Sequence, residues 1–190
     1  MIKHMNAVSS IGLLAGFAFV LIISPMAFAD DQSEYPATIA ALKNHYSAEV
    51  TASRSMSACA QSAHSEGFYS IEKLFIALKA SESVHAHNFR VLLSDFGVMV
   101  DDIPISPAVG FNTTKGNLKY LLDVELNEID TRYPALLERV RPEGHEAAIA
   151  DITYAWKAEM QHRDLIKKMR WAFLKQDLRC ITDSSISNPV

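Results

Sequence analysis

The feature that most restricts the fold of this chain is an apolar helical seam that polar residues interrupt twice in the same way. In the first seam, at alternating steps of three and four residues, Glu82 and His85 stand between Phe75, Leu78, Phe89 and Leu92. In the second, Glu159 and His162 stand between Ile152, Ala155, Ile166 and Met169. A spacing of three puts the Glu and the His on one helix face, about one turn apart. Each pair is therefore predicted to point into the interior of a helical bundle.

Long stretches with few helix breakers predict four helices, and strand signals are nearly absent. The predicted helices cover residues 37–66, 70–95, 114–139 and 144–175, and Pro134 is expected to perturb the third. Short connections make helices one and two, and helices three and four, antiparallel hairpins. The link 97–112 can span about 50 Å when extended, more than the second helix's length of about 39 Å. The sequence predicts an all-α four-helix bundle with a long crossover between helices two and three.

Three more acidic residues lie on the seams of the other two helices. Glu49 is on the first helix, and Glu125 and Glu128 are on the third. Glu49 precedes Glu82 by 33 residues, and Glu125 precedes Glu159 by 34 residues. This near-equal spacing is typical of a duplicated helical hairpin whose two halves meet around a shared centre.

Five carboxylates and two imidazoles in an apolar interior would be strongly destabilising without compensating positive charge. One unpaired buried charge already costs several kcal/mol. Two divalent or ferric ions would supply charge on the right scale, and a carboxylate-rich set with one His for each ion suits iron or manganese. Two cysteines, Cys59 and Cys180, cannot form a four-thiolate zinc site. The alternative is that these groups are surface charges whose alignment on the helices is accidental.

The first 29 residues have the pattern of a secretory signal peptide. Lys3 precedes an apolar run over residues 11–23, and Pro25 and a small-residue triplet, Ala27, Phe28 and Ala29, follow it. A permanent membrane anchor is the competing interpretation, but it needs about 20 apolar residues. We expect a signal peptide at residues 1–29, a bundle at 30–180 and a polar tail at 181–190. The formal net charge of −4 offers no basic patch for nucleic acid.

Over roughly residues 48–173, these motifs resemble the rubrerythrin family of ferritin-like di-iron proteins. The resemblance implies that Glu82 and Glu159 bridge two iron ions and that Glu49 and Glu125 are terminal ligands. It also implies that His85 and His162 bind or lie beside one ion each. Glu128 matches an additional family carboxylate that exchanges with a histidine as iron changes oxidation state. Manganese or a mixed pair of metals is the alternative occupant.

Two departures from the family pattern bear on function. Tyr133, five residues after Glu128, matches a family tyrosine near the site, whereas the tyrosine expected on the first helix is Met56 here. Many family members carry a rubredoxin domain with four cysteines, but only Cys180 lies beyond the last predicted helix. The protein is therefore expected to take electrons from a separate donor.

The resemblance implies a peroxidase that reduces hydrogen peroxide, with Glu128 and Tyr133 acting at the site. The export signal favours a periplasmic location, and the family favours a homodimer. Two rival hypotheses stay open: a ferroxidase or iron-handling protein, and a non-enzymatic metal-binding bundle. Freshly reduced protein that reacts much faster with peroxide than with oxygen would favour the first of the three.

The remaining candidate residues have ordinary structural interpretations. His45 lies one turn before Glu49 and is expected either to support the site or to cap the core. Trp156 and Trp171 are expected to be packing residues, and three histidines off the seams are expected to be solvated: His64, His87 and His145. Cys59 is predicted to be a buried thiol, with a disulfide to Cys180 as the alternative.

Overall fold

Two helical hairpins form the part of the chain that the computed structural model describes, which is residues 34–110 and 113–186, with side chains to residue 175. The first hairpin consists of α1 (Pro36–Ser65) and α2 (Tyr69–Asp95). The second consists of α3 (Thr114–Asn127), a π-helical turn (Glu128–Arg132), α4 (Tyr133–Val140) and α5 (Glu146–Ile186). Short 3₁₀ turns lie at Val100–Asp102 and Arg141–Glu143. The described residues contain no strand, which confirms the predicted all-α class.

The turn between α1 and α2 follows from a glycine. Gly67 adopts φ +81°, a left-handed conformation that favours glycine. The Phe68 amide donates to Ala63 O at 2.8 Å, and the Gly67 amide donates to His64 O at 3.0 Å. These two bonds satisfy carbonyls at the end of α1 in a Schellman arrangement, so the chain reverses directly into α2.

Two apolar clusters fix the relative direction of the helices. One joins the C-terminal half of α1 to the N-terminal parts of α2 and α3 and to Ile166 and Phe173 of α5. The other joins the start of α1 to the end of α2, to α4 and to the start of α5. Because the N-terminal ends of α2 and α3 share a cluster, these two helices run parallel, and the predicted crossover is confirmed.

The crossover lies along α1 and is held there by hydroxyl groups at intervals of four residues. Ser47 donates to Pro104 O, Thr51 donates to Ser106 O at 3.4 Å, and Ser55 accepts from the Val109 amide at 2.8 Å. At its end, Glu66 accepts from the Thr114 amide at 2.9 Å, where α3 begins. The contacts advance along α1 towards its C-terminal end, so the crossover traverses the bundle.

Pro134 perturbs the third predicted helix through the π-helical turn. The Tyr133 amide donates to Glu128 O, five residues back, which removes the donor that Ile129 O would have in an α-helix. Pro134 has no N–H to replace it. Instead, Trp156 donates its indole N–H to Ile129 O at 3.0 Å. Trp156 therefore does more than pack: it satisfies the carbonyl that the π turn leaves free.

Three other expectations need correction. The helix predicted at residues 144–175 continues to Ile186, into the expected polar tail 181–190, because no Pro or Gly occurs there before Pro189. His145, expected to be solvated, is half-buried and accepts a hydrogen bond from the Ala148 amide at the start of α5. Trp171, expected to be a packing residue, is 62% exposed, with Lys175 over its ring.

Two predictions about the ends of the chain stay untested. The predicted signal peptide, residues 1–29, lies outside the described residues. Among the helices that the structure describes, none is both long enough and apolar enough to cross a membrane. Cys59 is buried, as predicted for its seam position. Whether it pairs with Cys180 is the second untested prediction, because the Cys180 side chain lies outside the described part of the chain.

Candidate metal centre

Six of the seven predicted ligands meet in the middle of the bundle, between the two apolar clusters. One or two come from each of α1, α2, α3 and α5, and their exposures range from 2% to 8%: Glu49, Glu82, His85, Glu125, Glu159 and His162. They converge because each occupies a seam position at mid-helix, where the four helices face one another. The seam therefore places polar groups where leucine or isoleucine would otherwise pack.

The six residues form two overlapping clusters. One consists of Glu49, Glu82, His85 and Glu159, and the other of Glu82, Glu125, Glu159 and His162. Within each cluster, the potential ligand atoms lie within 4.8 Å of one another. Glu82 and Glu159 belong to both clusters, which is the arrangement that two bridging carboxylates would have.

Both imidazoles present Nδ1 to the carboxylates. His162 Nδ1 lies 2.9 Å from Glu159 Oε2 and 3.3 Å from Glu82 Oε1. His85 Nδ1 lies 3.3 Å from Glu82 Oε2, 3.3 Å from Glu159 Oε1 and 3.6 Å from Glu49 Oε2. The two rings are nearly parallel, with centroids 5.9 Å apart. The site thus has approximate two-fold symmetry, with one imidazole in each half.

Protons neutralise this cluster in the metal-free protein. Burial raises the pKa of Glu125 to about 11 and that of Glu49 well above its usual value. Burial alone would lower the pKa values of the imidazoles, but their carboxylate partners raise His85 to about 12 and His162 to about 9. Burial opposes ionisation of Glu82 and Glu159 as well, yet the adjacent imidazoles, His162 foremost, hold their pKa values below the usual range. Metal binding must therefore release protons.

Unpartnered atoms show that a pair of metal ions fits this site. Three buried atoms of the cluster have no hydrogen-bond partner among the described residues: Glu82 Oε2, His85 Nδ1 and Glu125 Oε2. His85 Nδ1 is near three carboxylate oxygens, but none of them is aligned to accept from it. Atoms that approach a common centre without bonding pairwise suit a cation between them. Carboxylate oxygen and imidazole nitrogen together are a donor set for iron or manganese.

Glu128, the seventh predicted ligand, lies apart from both clusters. It is the first residue of the π turn, is half-buried, and forms an ion pair with Arg132 one turn later. Burial raises the pKa of Glu128 to about 7, although the Arg132 charge acts to lower it. Both side chains line a cavity of about 560 Å³ whose wall also includes four carboxylates of the centre: Glu49, Glu82, Glu125 and Glu159.

Tyr133 and Met56 occupy corresponding positions in the two hairpins but act differently. Tyr133 is eight residues after Glu125, and Met56 is seven after Glu49; the π turn accounts for the additional residue. The Tyr133 hydroxyl donates to Glu49 Oε1 at 2.9 Å. Met56 is buried and has no group to donate, and Glu125 Oε2 has no hydrogen-bond partner among the described residues. A tyrosine hydroxyl thus donates to a carboxylate of the centre in one half only.

His45 supports this arrangement from the side. Its ring contacts Tyr133 and Phe89 edge-on, at centroid distances of 5.2 and 6.1 Å. Burial and the charge of Arg132 lower the pKa of His45 to about 4, so the ring is neutral. Its one N–H is on Nδ1, because Ala41 O, at 3.2 Å from Nδ1, can only accept a hydrogen bond. His45 therefore packs neutral against the tyrosine that holds Glu49.

Sequence reasoning missed two residues near the centre. Arg132 pairs with Glu128, a partnership that their spacing of four on a helix could have indicated. Ser81 lies 2.9 Å from His162 Nε2 through its hydroxyl. Nothing in the sequence indicates that second contact, because Ser81 and His162 are on different helices.

We expect the stability of the metal-free protein to decrease as the pH rises from 6.5 to about 9. His162 binds its proton more tightly in the folded protein, where its pKa is about 9, than in the unfolded chain, where it is 6.5. Its contribution is fully present below pH 6.5 and is lost as the pH rises through 9, at most about 3 kcal/mol. Urea unfolding at several pH values in the presence of a chelator measures the free energy of unfolding of the metal-free protein.

His162→Gln should make this decrease shallower, whereas His87→Gln, at an exposed position on α2, should leave it unchanged. A free energy of unfolding that stays constant between these pH values would contradict the proton assignment.

Comparisons with known proteins agree with the geometry. A sequence model of the Rubrerythrin family matches residues 41–170. The chain is 31% identical to rubrerythrin-2 of Clostridium acetobutylicum over 128 aligned residues. The aligned region covers 66% of this chain and 68% of that protein.

The fold is similar to that of nigerythrin in solved structures of two redox states. For the fully reduced, all-ferrous state the TM-score is 0.66, at 26% identity, over 75% of this chain and 70% of nigerythrin. For the mixed-valence state the TM-score is 0.64, at the same identity and coverage. Because the family match spans most of the chain and includes all six clustered residues, the chain belongs to the rubrerythrin family of di-iron proteins.

Proposed function

We propose that this protein is a di-iron peroxidase that reduces hydrogen peroxide to water with two electrons and two protons. The observation that carries the proposal is the pair of clusters sharing Glu82 and Glu159 at the wall of a cavity large enough for a small substrate. Two adjacent ions, when bound, supply the two electrons that cleave the O–O bond.

The carboxylates of the chain would hold the two ions at a fixed separation. Glu82 and Glu159 are proposed as bridging ligands, because each contributes to both clusters. Glu49 and Glu125 are proposed as terminal ligands, and each belongs to one cluster. The two apolar clusters on either side exclude water from the ends of the site, which strengthens every charge interaction within it.

The cavity gives a small substrate a route to these carboxylates. Ser106 and Val109 of the crossover form part of its wall, together with residues of α1 and α3. The hydroxyl contacts of α1 keep the crossover in this position. Glu128 and Arg132, which form an ion pair, also line this cavity. If the ion pair broke, the Glu128 carboxylate would be free to approach the metal centre.

Tyr133 has the role of orienting Glu49. Burial, the Glu49 charge and the other carboxylates raise the pKa of its hydroxyl well above the usual value, so it stays a donor. Its bond to Oε1 leaves Glu49 Oε2 to face the cluster, where it lies 3.6 Å from His85 Nδ1. The tyrosine thus fixes which oxygen of Glu49 is available as a ligand.

We also propose that the protein is exported to the periplasm, works there with a separate electron donor, and forms a homodimer. The proposal of a separate donor is supported by the metal-binding groups: within the described residues, the two overlapping clusters are the only groups of His, Cys, Asp and Glu arranged to hold a metal. If the export signal is processed as its sequence predicts, protein purified from the periplasm begins at Asp30. N-terminal sequencing that finds residues 1–29 still attached would reject the export proposal.

Protein loaded with iron and reduced anaerobically should react at least ten times faster with hydrogen peroxide than with oxygen. Stopped-flow absorbance of the oxidised site measures both reactions. Equal rates would favour a ferroxidase instead, and no reaction with either oxidant would favour a metal-binding bundle. Continued turnover should require an added reductant, because each cycle consumes two electrons.

Glu128→Ala should retain most of the bound iron but decrease peroxide turnover by about tenfold or more. The expected reason is that Glu128 lies outside both clusters but lines the cavity beside them. Steady-state turnover and iron content measure the two effects. Asp130→Ala, at an exposed position of the same π turn, is the matched control, and unchanged turnover in Glu128→Ala would remove Glu128 from the mechanism.

A further inference from the structure

The two histidines of the centre differ at their outer ring nitrogens. His162 turns Nδ1 towards the carboxylates and places Nε2 2.9 Å from the Ser81 hydroxyl of α2. Ser81 directly precedes Glu82, so the contact joins α5 to the ligand-bearing turn of α2. No described residue makes a hydrogen bond with Nε2 of His85.

The duplicated hairpin explains this difference. Glu82 corresponds to Glu159 at an offset of 77 residues, and His85 corresponds to His162 at the same offset. The counterpart of Ser81 is therefore Ala158, whose methyl group can neither donate nor accept. Ala158 and His85 instead line a second cavity, of about 420 Å³, between α2 and α5.

We propose that Ser81 is a positioning residue that fixes the His162 ring for its metal ion, and that Ala158 leaves the His85 ring without this support. The inference rests on the metal centre of the proposed function and does not depend on peroxide as the substrate. When Nδ1 of a neutral imidazole binds a metal, the ring proton is on Nε2. In His162 this proton has the Ser81 oxygen as its acceptor, which restricts ring rotation and stabilises the ligating orientation.

The two halves of the centre consequently have different fixed ligands. In the half with His85, the Tyr133 hydroxyl fixes the carboxylate of Glu49, and the imidazole is unsupported. In the other half, Ser81 fixes the imidazole of His162, and no residue that the structure describes bonds to Glu125 Oε2. The ligand that can move is thus an imidazole in one half and a carboxylate in the other.

The test uses the protein loaded with Zn²⁺, a diamagnetic probe, and labelled with ¹⁵N-histidine. NMR measures how fast each ring N–H proton exchanges with water. The His162 proton should exchange about tenfold more slowly than the His85 proton, on the scale of one hydrogen bond. Ser81→Ala should abolish this difference, and Ser81→Thr, which keeps the hydroxyl, should restore it.

Zn²⁺ affinity provides a second readout. Ser81→Ala should weaken one of the two binding steps by about tenfold or more, measured by competition with a chelator. Ser83→Ala is the matched control, because this exposed hydroxyl bonds to Lys79 O and to Ser53, away from the centre. Ala158→Ser introduces the missing hydroxyl and should slow exchange of the His85 proton while the His162 proton stays slow.

Equal exchange rates for the two protons in the unaltered protein would overturn the inference, as would unchanged exchange in Ser81→Ala. If Ser81→Ala does not fold, Ala158→Ser decides: an unprotected His85 proton in that variant counts against the inference. A protein that binds no Zn²⁺ would overturn both the inference and the metal centre. The predicted NMR pattern in a protein inactive towards peroxide would reject only the proposed reaction.

Discussion

Burial of four carboxylates and two imidazoles in the middle of an apolar bundle is the constraint on which the rest of the structure depends. Without compensation, this group would cost more free energy than a small domain can supply. In the metal-free protein, protons on Glu49, Glu125, His85 and His162 balance the ionised Glu82 and Glu159. A metal pair can replace those protons, so folding, proton binding and metal binding are coupled at one place.

The two apolar clusters at either end of the bundle offset the free energy that burial of the polar centre costs. They provide the hydrophobic burial that the centre does not, and they hold the four helices so that the ligand atoms approach one another. The crossover makes α2 and α3 parallel, so that α2 and α5 run antiparallel and their Glu-x-x-His pairs face each other in the middle of the bundle. Its contacts with Ser47, Thr51 and Ser55 also form one wall of the cavity beside the centre.

The duplication keeps the residue type of every clustered ligand but not of the groups behind them. Tyr133 has a hydroxyl where Met56 has a thioether, and a π turn is inserted in one hairpin but not in the other. Ser81 has a hydroxyl where its counterpart, Ala158, has a methyl group. These differences make a nearly symmetric site chemically asymmetric.

The sequence by itself determined the helices, the crossover and the set of clustered ligands, because periodicity fixes which side chains share a helix face. It could not determine contacts between helices, since these depend on rotation and axial shift that no local pattern encodes. Only the tertiary structure paired Ser81 with His162, joined Tyr133 to Glu49 and gave Trp156 the carbonyl of the π turn. Each of these contacts is a hydrogen bond or ion pair whose geometry requires ångström-level placement of separate side chains.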